Sequence, residues 1–205
     1  MNLSIGSGDV SALLSGKLTK GYQNLFRKFV AQDKPFYNAT ASPIDALRTG
    51  ALIEKKYIDM LPDDYFCQKK STCKEMDCFT SSIDFAKMKD GKLVDFDELK
   101  TIYLPDFLDM IVPLTDLSQT EYTAFLKKNF KANYNQVQFQ MMCAELQECN
   151  LVFLMVDSYN DEENEARVLT ERDFYKFRIK RDESVIAEIK NRGQIFQEVR
   201  NHFVK

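Results

Sequence analysis

Asp84 and the tripeptide Glu98-Leu99-Lys100 are the residues of this 205-residue chain whose types and spacing best suit catalysis. Residues two apart on a β-strand share a face, so Glu98 and Lys100 would point the same way and leave the Leu99 carbonyl available as a further metal ligand. Mg²⁺ prefers oxygen ligands, and it can supply the hydroxide and the charge neutralisation that phosphodiester cleavage requires. The pattern predicts Mg²⁺-dependent hydrolysis, with Mn²⁺ as a substitute ion.

Bringing Asp84 to the same face requires a particular hairpin. Strands are predicted over residues 80–88 and 92–103. A two-residue loop would place Asp84 on the wrong face, whereas a three-residue loop, Lys89-Asp90-Gly91, would place it opposite Phe96. We therefore expect the three-residue loop, with Gly91 in the left-handed conformation that such a bulged turn needs.

An acidic residue two positions before a lysine is a common pattern by itself. It occurs four times in this chain, and three of the four pairs lie on predicted helices or in the turn. Only Glu98 and Lys100 lie on a predicted strand with an aspartate on the preceding strand. The competing interpretation of this motif alone is a charged strand edge that protects the sheet against aggregation.

Two predicted helices carry further candidate residues. One begins with Ser42 as N-cap and Pro43 at the first helical position, and it places Gly50 one turn before Glu54. Glycine weakens a helix by up to ~1 kcal/mol relative to alanine, so we expect close packing or an approach of DNA there. The other, over residues 134–148, places Gln136 and Gln140 on one face, which by itself is typical of a solvated helix.

Taken together, these residues resemble the phage lambda exonuclease family, also called the YqaJ-type viral recombinases, of the PD-(D/E)XK nuclease superfamily. The resemblance rests on four motifs in the family's order: Gly50…Glu54, Asp84, Glu98-Leu99-Lys100 and Gln136-Val137-Gln138. Residues 179–183 also resemble the family's C-terminal pattern. The resemblance covers residues 48–203 in patches.

This resemblance implies roles for the matched residues. The implied oxygen ligands of the metal or its water are Glu54, Asp84, Glu98 and the Leu99 carbonyl. Lys100 would lie near the attacking water, and Gln136 would support that water or Lys100. The resemblance also implies digestion of one strand of double-stranded DNA from a 5′ end in phage-type recombination, a ring-shaped homotrimer around the DNA and a single-strand annealing protein as partner.

The predicted elements follow the order helix, sheet, helix, strand, strand, helix. This order indicates an α/β (α+β) fold with a central mixed sheet flanked by helices. Beyond the elements above, we predict helices over residues 9–31, 118–130 and 183–202 and strands over residues 65–68, 73–79, 151–158 and 172–180. We expect a single nuclease domain over residues 1–205, of which residues 1–41 form a helical N-terminal appendage.

The distribution of charge identifies candidate DNA contacts. A net charge of −3 excludes a generic basic nucleic-acid-binding protein. Basic residues are nevertheless concentrated near the N-terminus. Four of these basic residues, together with Arg48 of the helix that contains Glu54, are candidate contacts to DNA phosphates. The five candidates are Lys17, Lys20, Arg27, Lys28 and Arg48. The competing interpretation is a solvated helix face.

The composition also bears on location and on the cysteines. No apolar run approaches the ~20 residues of a membrane span, and no secretory signal is recognisable, so we expect a cytosolic protein of a bacterium or a phage-infected host, without membrane association. Five cysteines agree with a reducing compartment. Cys67, Cys73 and Cys78 lack zinc-site spacing. The alternatives are buried, unreactive thiols or an iron–sulfur cluster completed by Cys143 and Cys149.

Two alternatives stand beside the exonuclease. An endonuclease of the same superfamily would use the same chemistry with different access to the strand. A non-catalytic DNA-binding or assembly protein on the same scaffold would keep clustered carboxylates without using them, at a cost in like-charge repulsion. Because His202 is the only histidine, Ser–His and Cys–His nucleophilic schemes are poorly supported.

Overall fold

Five strands form one mixed sheet in the computed structural model, which describes residues 4–31, 44–158 and 161–203. The strands are β1 (Tyr65–Thr72), β2 (Thr80–Lys89), β3 (Lys92–Tyr103), β4 (Glu148–Val156) and β5 (Phe174–Lys180), and they lie in this order across the sheet. Neighbouring strands are antiparallel, except for β3 and β4, which are parallel and are joined by a long helical connection. The predicted α/β fold with a central mixed sheet flanked by helices is confirmed.

The helices pack on the sheet and on one another. They are α1 (Val10–Leu13), α2 (Lys20–Ala31), α3 (Ile44–Ile58), α4 (Leu104–Asp106), α5 (Gln119–Asn129), α6 (Lys131–Ala144), α7 (Asp161–Ala166) and α8 (Glu183–Phe203). A 3-10 turn, Ser7–Asp9, precedes α1, and the segment Phe107–Asp116 after α4 continues in π and 3-10 turns. None of the described helices combines the length and the apolar character needed to cross a membrane.

Three hydrophobic clusters connect these elements. The first joins α1, α2 and α8 to α6 and to the loop between β1 and β2, with Phe79 and Phe196 among its fully buried side chains. The second lies between the sheet and α5 and α6, and it includes Val137. The third lies between the sheet and α3, where Tyr57 packs near Leu99. α6 and α3 are therefore held against the sheet by separate clusters, and β3 contributes to both.

Gly193 is required where α8 passes over Phe79. A Cβ atom at Gly193 would lie 1.9 Å from Cζ of Phe79, and this ring is fully buried and packs against Phe139. Because the ring has no free space to enter, we expect Gly193→Ala to lower the free energy of unfolding by about 1–3 kcal/mol, measured by chemical denaturation. Gly21→Ala is the control, because its Cβ would meet its nearest atom at 3.8 Å, and it should be neutral or stabilising.

One predicted element is wrong, and two observed segments were not predicted. Residues 73–79, predicted as a strand, form the loop between β1 and β2, in which Phe79 donates its N–H to the Met76 carbonyl. The apolar residues of this loop are buried by turning inward rather than by strand alternation. The turns over residues 104–116 and helix α7 were not predicted. The predicted helix start at Ser42 and Pro43 lies outside the described residues.

Candidate active site

The hairpin of β2 and β3 closes with a two-residue turn. Lys89 pairs with Lys92, and the residues between them, Asp90 and Gly91, have φ values of 51° and 74°. Two consecutive positive φ angles form a type I′ turn, for which Asp-Gly is a preferred sequence. The predicted three-residue loop is therefore wrong.

A β-bulge within the hairpin nevertheless brings Asp84 to the required position. The register shifts near the turn and leaves Val94 of β3 without a partner on β2. Beyond this bulge Phe85 pairs with Asp97, so Asp84 lies level with Glu98. The predicted position of Asp84, opposite Phe96, is therefore wrong by two residues. The extra residue that the geometry required is present, but it lies in the strand and not in the turn.

β2 and β3 separate beyond the Phe85–Asp97 pair and form a fork. β2 continues along β1, and β3 continues along β4. The regular alternation of β2 is interrupted here, because Ile83 belongs to the cluster beneath α6 and Phe85 to the cluster beneath α3. Between them, Oδ2 of Asp84 accepts the N–H of Leu99 at 3.0 Å, so a carboxylate takes the place of a neighbouring strand.

Glu98 lies at the centre of the fork, with 1% of its surface exposed. Its Oε1 accepts hydrogen bonds from Nζ of Lys100 and Nε2 of Gln136, both at 2.6 Å. Its Oε2 accepts a hydrogen bond from Nε2 of Gln140, also at 2.6 Å. Hydrogen bonds to a charged acceptor are short and strong, so these three donors fix the position of the Glu98 carboxylate.

Two further carboxylates interact with Glu98. Burial and then the charge of Glu98 raise the pKa of Asp84 to about 8, against the opposing effect of Lys100. Burial and Glu98 also raise the pKa of Glu54, which extends from α3. When all three carboxyl groups are ionised, they outnumber the single ammonium group of Lys100, and a divalent cation would compensate for the excess of negative charge.

The donor set of the fork fits Mg²⁺. Among the described residues, no three Asp, Glu, His or Cys side chains form a complete metal-binding cluster. Mg²⁺, however, is commonly held by one or two carboxylates, while water and substrate phosphate complete its octahedron. Asp84 and Glu98 meet that requirement, and Glu54 is close enough to influence both.

Only one glutamine of the Gln136-Val137-Gln138 motif reaches the fork. Nε2 of Gln138 donates to the Lys180 carbonyl at 3.0 Å, and its Oε1 accepts the N–H of Asp182 at 2.7 Å. Gln138 therefore links α6 to the chain between β5 and α8. The second glutamine that binds Glu98 is Gln140, and not Gln138. Gln140 lies on the same helical face as Gln136, but the sequence motifs assign no role to it.

Gln68 of β1 is a further residue that sequence reasoning missed. Its φ of 55° lies in the left-handed region, which costs a residue with a side chain about 1–3 kcal/mol in the middle of a strand. Oε1 of Gln68 accepts a hydrogen bond from Oγ of Ser82 at 3.0 Å, and its side chain also hydrogen-bonds Glu54. No sequence signal distinguishes Gln68 from the other polar residues of this edge strand.

The glycine before Glu54 has no packing explanation. A Cβ atom at Gly50 would meet no other atom within 4 Å. Close packing within the described part of the chain therefore does not account for this glycine. The approach of DNA to Gly50 stays a prediction.

The basic residues near the N-terminus lie on and before α2. Three of the predicted DNA contacts are exposed and have no ion-pair partner among the described residues: Lys17, Lys20 and Arg27. Lys28 instead binds Asp9 at 2.9 Å, and Arg48 is exposed on α3. No described hydrogen bond or ion pair connects the four basic residues near the N-terminus to the fork. Whether they contact DNA therefore depends on the path of the DNA.

The five cysteines do not converge on one point. Cys67 is exposed on β1, whereas Cys73, Cys78 and Cys143 belong to the first hydrophobic cluster and Cys149 belongs to the second. This distribution does not support a metal cluster held by four of them. Four of the five have the burial expected of structural thiols.

The face of β3 opposite Glu98 carries a second buried carboxylate, Asp97. It accepts hydrogen bonds from Tyr57 Oη, Asn150 Nδ2 and Lys176 Nζ, each at 2.7 Å. Asp97 is completely buried. Its three donors all belong to neighbouring elements of the fold, which indicates a structural role and makes this lysine–aspartate pair a useful comparison for Lys100 and Glu98.

Comparison with known proteins gives matches at the level of structure. No family model matches the chain, and no curated protein matches its sequence. An alkaline exonuclease from Laribacter hongkongensis superposes with a TM-score of 0.61 at 17% identity, over 98% of this chain and 91% of that chain. The same exonuclease in complex with dAMP gives 0.61 at 18% identity, over 100% and 93%.

A third structure, a phage-related exonuclease from Haemophilus somnus 129PT, gives a TM-score of 0.62 at 16% identity and covers 98% of this chain and 95% of that chain. All three superpositions extend over almost the full length of both partners. At these identities the similarity concerns the fold. The chain has the fold of alkaline and phage-related exonucleases, and the resemblance predicted from its sequence motifs is confirmed at that level.

Proposed function

We propose that this chain is a Mg²⁺-dependent exonuclease that hydrolyses phosphodiester bonds at the ends of double-stranded DNA. The observation that carries the proposal is the convergence of Asp84, Glu98 and Lys100 in the fork between β2 and β3. The similarity of the fold to exonucleases of known structure supports it. Endonucleases of the superfamily would use the same residues, and the two functions differ in their need for a DNA end.

The side chains of the fork have separate tasks in this mechanism. Asp84, Glu98 and the Leu99 carbonyl would hold the ion, which when bound supplies a hydroxide nucleophile and neutralises charge on the phosphate. Nζ of Lys100, held at 2.6 Å from Oε1 of Glu98, would orient the attacking water and stabilise the charge that develops on the phosphate oxygens. Gln136, which shares Oε1 of Glu98 with Lys100, would keep both groups in position.

The product of this reaction would be a deoxynucleoside monophosphate. One of the similar exonucleases was solved in complex with dAMP, which belongs to this chemical class. Digestion from a 5′ end in phage-type recombination, a homotrimer around the DNA, a single-strand annealing protein as partner and a cytosolic location are further expectations from the resemblance. Release of mononucleotides from a duplex labelled at either 5′ or 3′ ends tests the polarity, and sedimentation tests the trimer.

The experiment that tests the proposed function compares two DNA substrates. With Mg²⁺ present, the purified chain is expected to digest linear duplex DNA and to leave covalently closed circular duplex intact, and EDTA is expected to stop the reaction. Nicking of the circle would instead identify an endonuclease. DNA binding without cleavage of either substrate would identify the non-catalytic alternative.

The basic residues before and on α2 would bind the DNA backbone. We expect the triple variant Lys17→Gln, Lys20→Gln and Arg27→Gln to bind duplex DNA more weakly. The negative slope of log affinity against log salt concentration should become shallower by about 0.9 for each lost phosphate contact. Fluorescence anisotropy with Ca²⁺ in place of Mg²⁺ measures binding without cleavage. A variant in which Lys89 and Lys92 of the hairpin turn are replaced by glutamine serves as control. An unchanged slope in the triple variant would exclude these residues from the DNA path.

A further inference from the structure

Gln140 of α6 connects the two strands of the fork. Its side chain is fully buried, and its Nε2 donates to Oε2 of Glu98 at 2.6 Å and to the carbonyl oxygen of Ser82 at 2.9 Å. Ser82 lies on β2, two residues before Asp84, and Glu98 lies on β3. Because β2 and β3 do not pair with each other in this part of the sheet, the Gln140 amide joins them directly across the opening.

The orientation of the Gln140 amide follows from these two acceptors. An amide nitrogen carries two hydrogens, and both are used here. If the amide were rotated by 180°, its oxygen would face the Glu98 carboxylate and the Ser82 carbonyl, which are both acceptors. In the observed orientation Oε1 of Gln140 is buried and has no hydrogen-bond partner among the described residues. Buried amide oxygens rarely lack a partner. In Gln140 this oxygen is left unsatisfied, while both N–H groups of the amide bind the fork.

We propose that Gln140 is a positioning residue that sets the separation of β2 and β3 at the fork, and thereby the affinity of Asp84 and Glu98 for a divalent cation. This inference rests on the proposed function. Residues that hydrogen-bond to metal-binding carboxylates typically change metal affinity by about 10–100-fold when they are replaced. Gln140 binds the Glu98 oxygen that Lys100 and Gln136 leave free, and unlike them it also binds β2.

Gln138 provides a matched control on the same helix. It is also fully buried and makes two hydrogen bonds, but its partners are Lys180 and Asp182. Methionine has a similar length to glutamine and forms no comparable hydrogen bonds. Gln138→Met and Gln140→Met should therefore both lower the melting temperature, whereas only Gln140→Met should weaken the binding of a divalent cation.

The test measures Mn²⁺ binding by the full-length chain with isothermal titration calorimetry, without DNA. We expect Gln140→Met to raise the Mn²⁺ dissociation constant by about 10–100-fold and Gln138→Met to leave it unchanged. Gln140→Asn keeps a buried amide but is too short to reach both acceptors, so it should also raise the constant. It replaces Gln140→Met if that variant does not fold.

The outcomes separate this inference from the proposed function. Wild-type affinity for Mn²⁺ in a folded Gln140 variant would overturn the inference and leave the proposed nuclease unaffected. An equal loss of affinity in Gln138→Met would also overturn it, because a general loss of stability would then explain both results. A wild-type chain that binds no Mn²⁺ would contradict the inference and the proposed function together.

Discussion

Replacing Lys100 with methionine is expected to slow DNA cleavage by about 10²–10⁴-fold without weakening the binding of Mn²⁺. The variant removes the ammonium group that would act on the water and the phosphate, while Gln136 and Gln140 still hold the Glu98 carboxylate. Loss of a positive charge beside the carboxylates should, if anything, strengthen cation binding. Single-turnover cleavage of a linear duplex measures the rate, and calorimetry measures Mn²⁺ affinity.

Lys176→Met is the matched control for this prediction. Nζ of Lys176 binds Asp97 at 2.7 Å on the opposite face of β3, just as Lys100 binds Glu98. Its loss leaves a buried carboxylate without a cation, so the melting temperature should fall. Cleavage per folded molecule should stay near the wild-type rate. Wild-type cleavage by Lys100→Met, or an equal loss of cleavage in both variants, would contradict the role assigned to Lys100.

Asp84→Asn is expected to abolish detectable cleavage and, unusually for a change at a buried site, to stabilise the metal-free protein at pH 8. Burial and the charge of Glu98 raise the pKa of Asp84 from 3.8 to about 8. A raised pKa means that the folded chain favours the protonated carboxyl. The contribution of the protonated Asp84 carboxyl to the stability of the folded chain is complete below about pH 4. It is lost as the pH rises towards 8 and beyond. Asparagine resembles the neutral form and does not titrate.

The difference in stability between Asp84→Asn and the wild type should therefore grow with pH. Melting temperatures measured in EDTA should be similar at pH 4.5 and should favour the variant at pH 8.5, by about 2–4 °C for each kcal/mol of difference. Added Mn²⁺ should raise the melting temperature of the wild type and have little effect on the variant. Parallel pH profiles for the two proteins would mean that Asp84 does not share a charged, buried site with Glu98.

Local patterns explain why the arrangement of Glu98 and Lys100 could be predicted from the sequence. Glu98 and Lys100 share a face because strand residues alternate, and this depends only on the assignment of β3 as a strand. The role of Gln136 followed from the resemblance to the exonuclease family, because the spacing of Gln136 and Gln140 by itself indicates only a shared helical face. The requirement for one extra residue in the hairpin followed from the same alternation. The two features that follow from strand alternation depend only on neighbours along the chain.

The remaining features depend on contacts between distant segments. Asp90-Gly91 forms the two-residue turn that this dipeptide prefers, so the extra residue of β3 lies at Val94 and not in the turn. No sequence signal distinguishes Val94 from the other residues of the strand. Gln68 and Gln140 acquired their partners only when β1 and α6 packed around the fork. The turns over residues 104–116 have no helical or strand period, so composition alone does not specify them.

We propose that the fork between β2 and β3 binds the metal ion on which DNA cleavage depends. The most direct test is anomalous diffraction from a crystal of the chain soaked in Mn²⁺. We predict an anomalous peak within coordination distance of carboxylate oxygens of both Asp84 and Glu98, with Lys100 on the open side of the ion. A peak bound elsewhere, with Glu98 still enclosed by Lys100, Gln136 and Gln140 and no ion beside Asp84, would contradict the account.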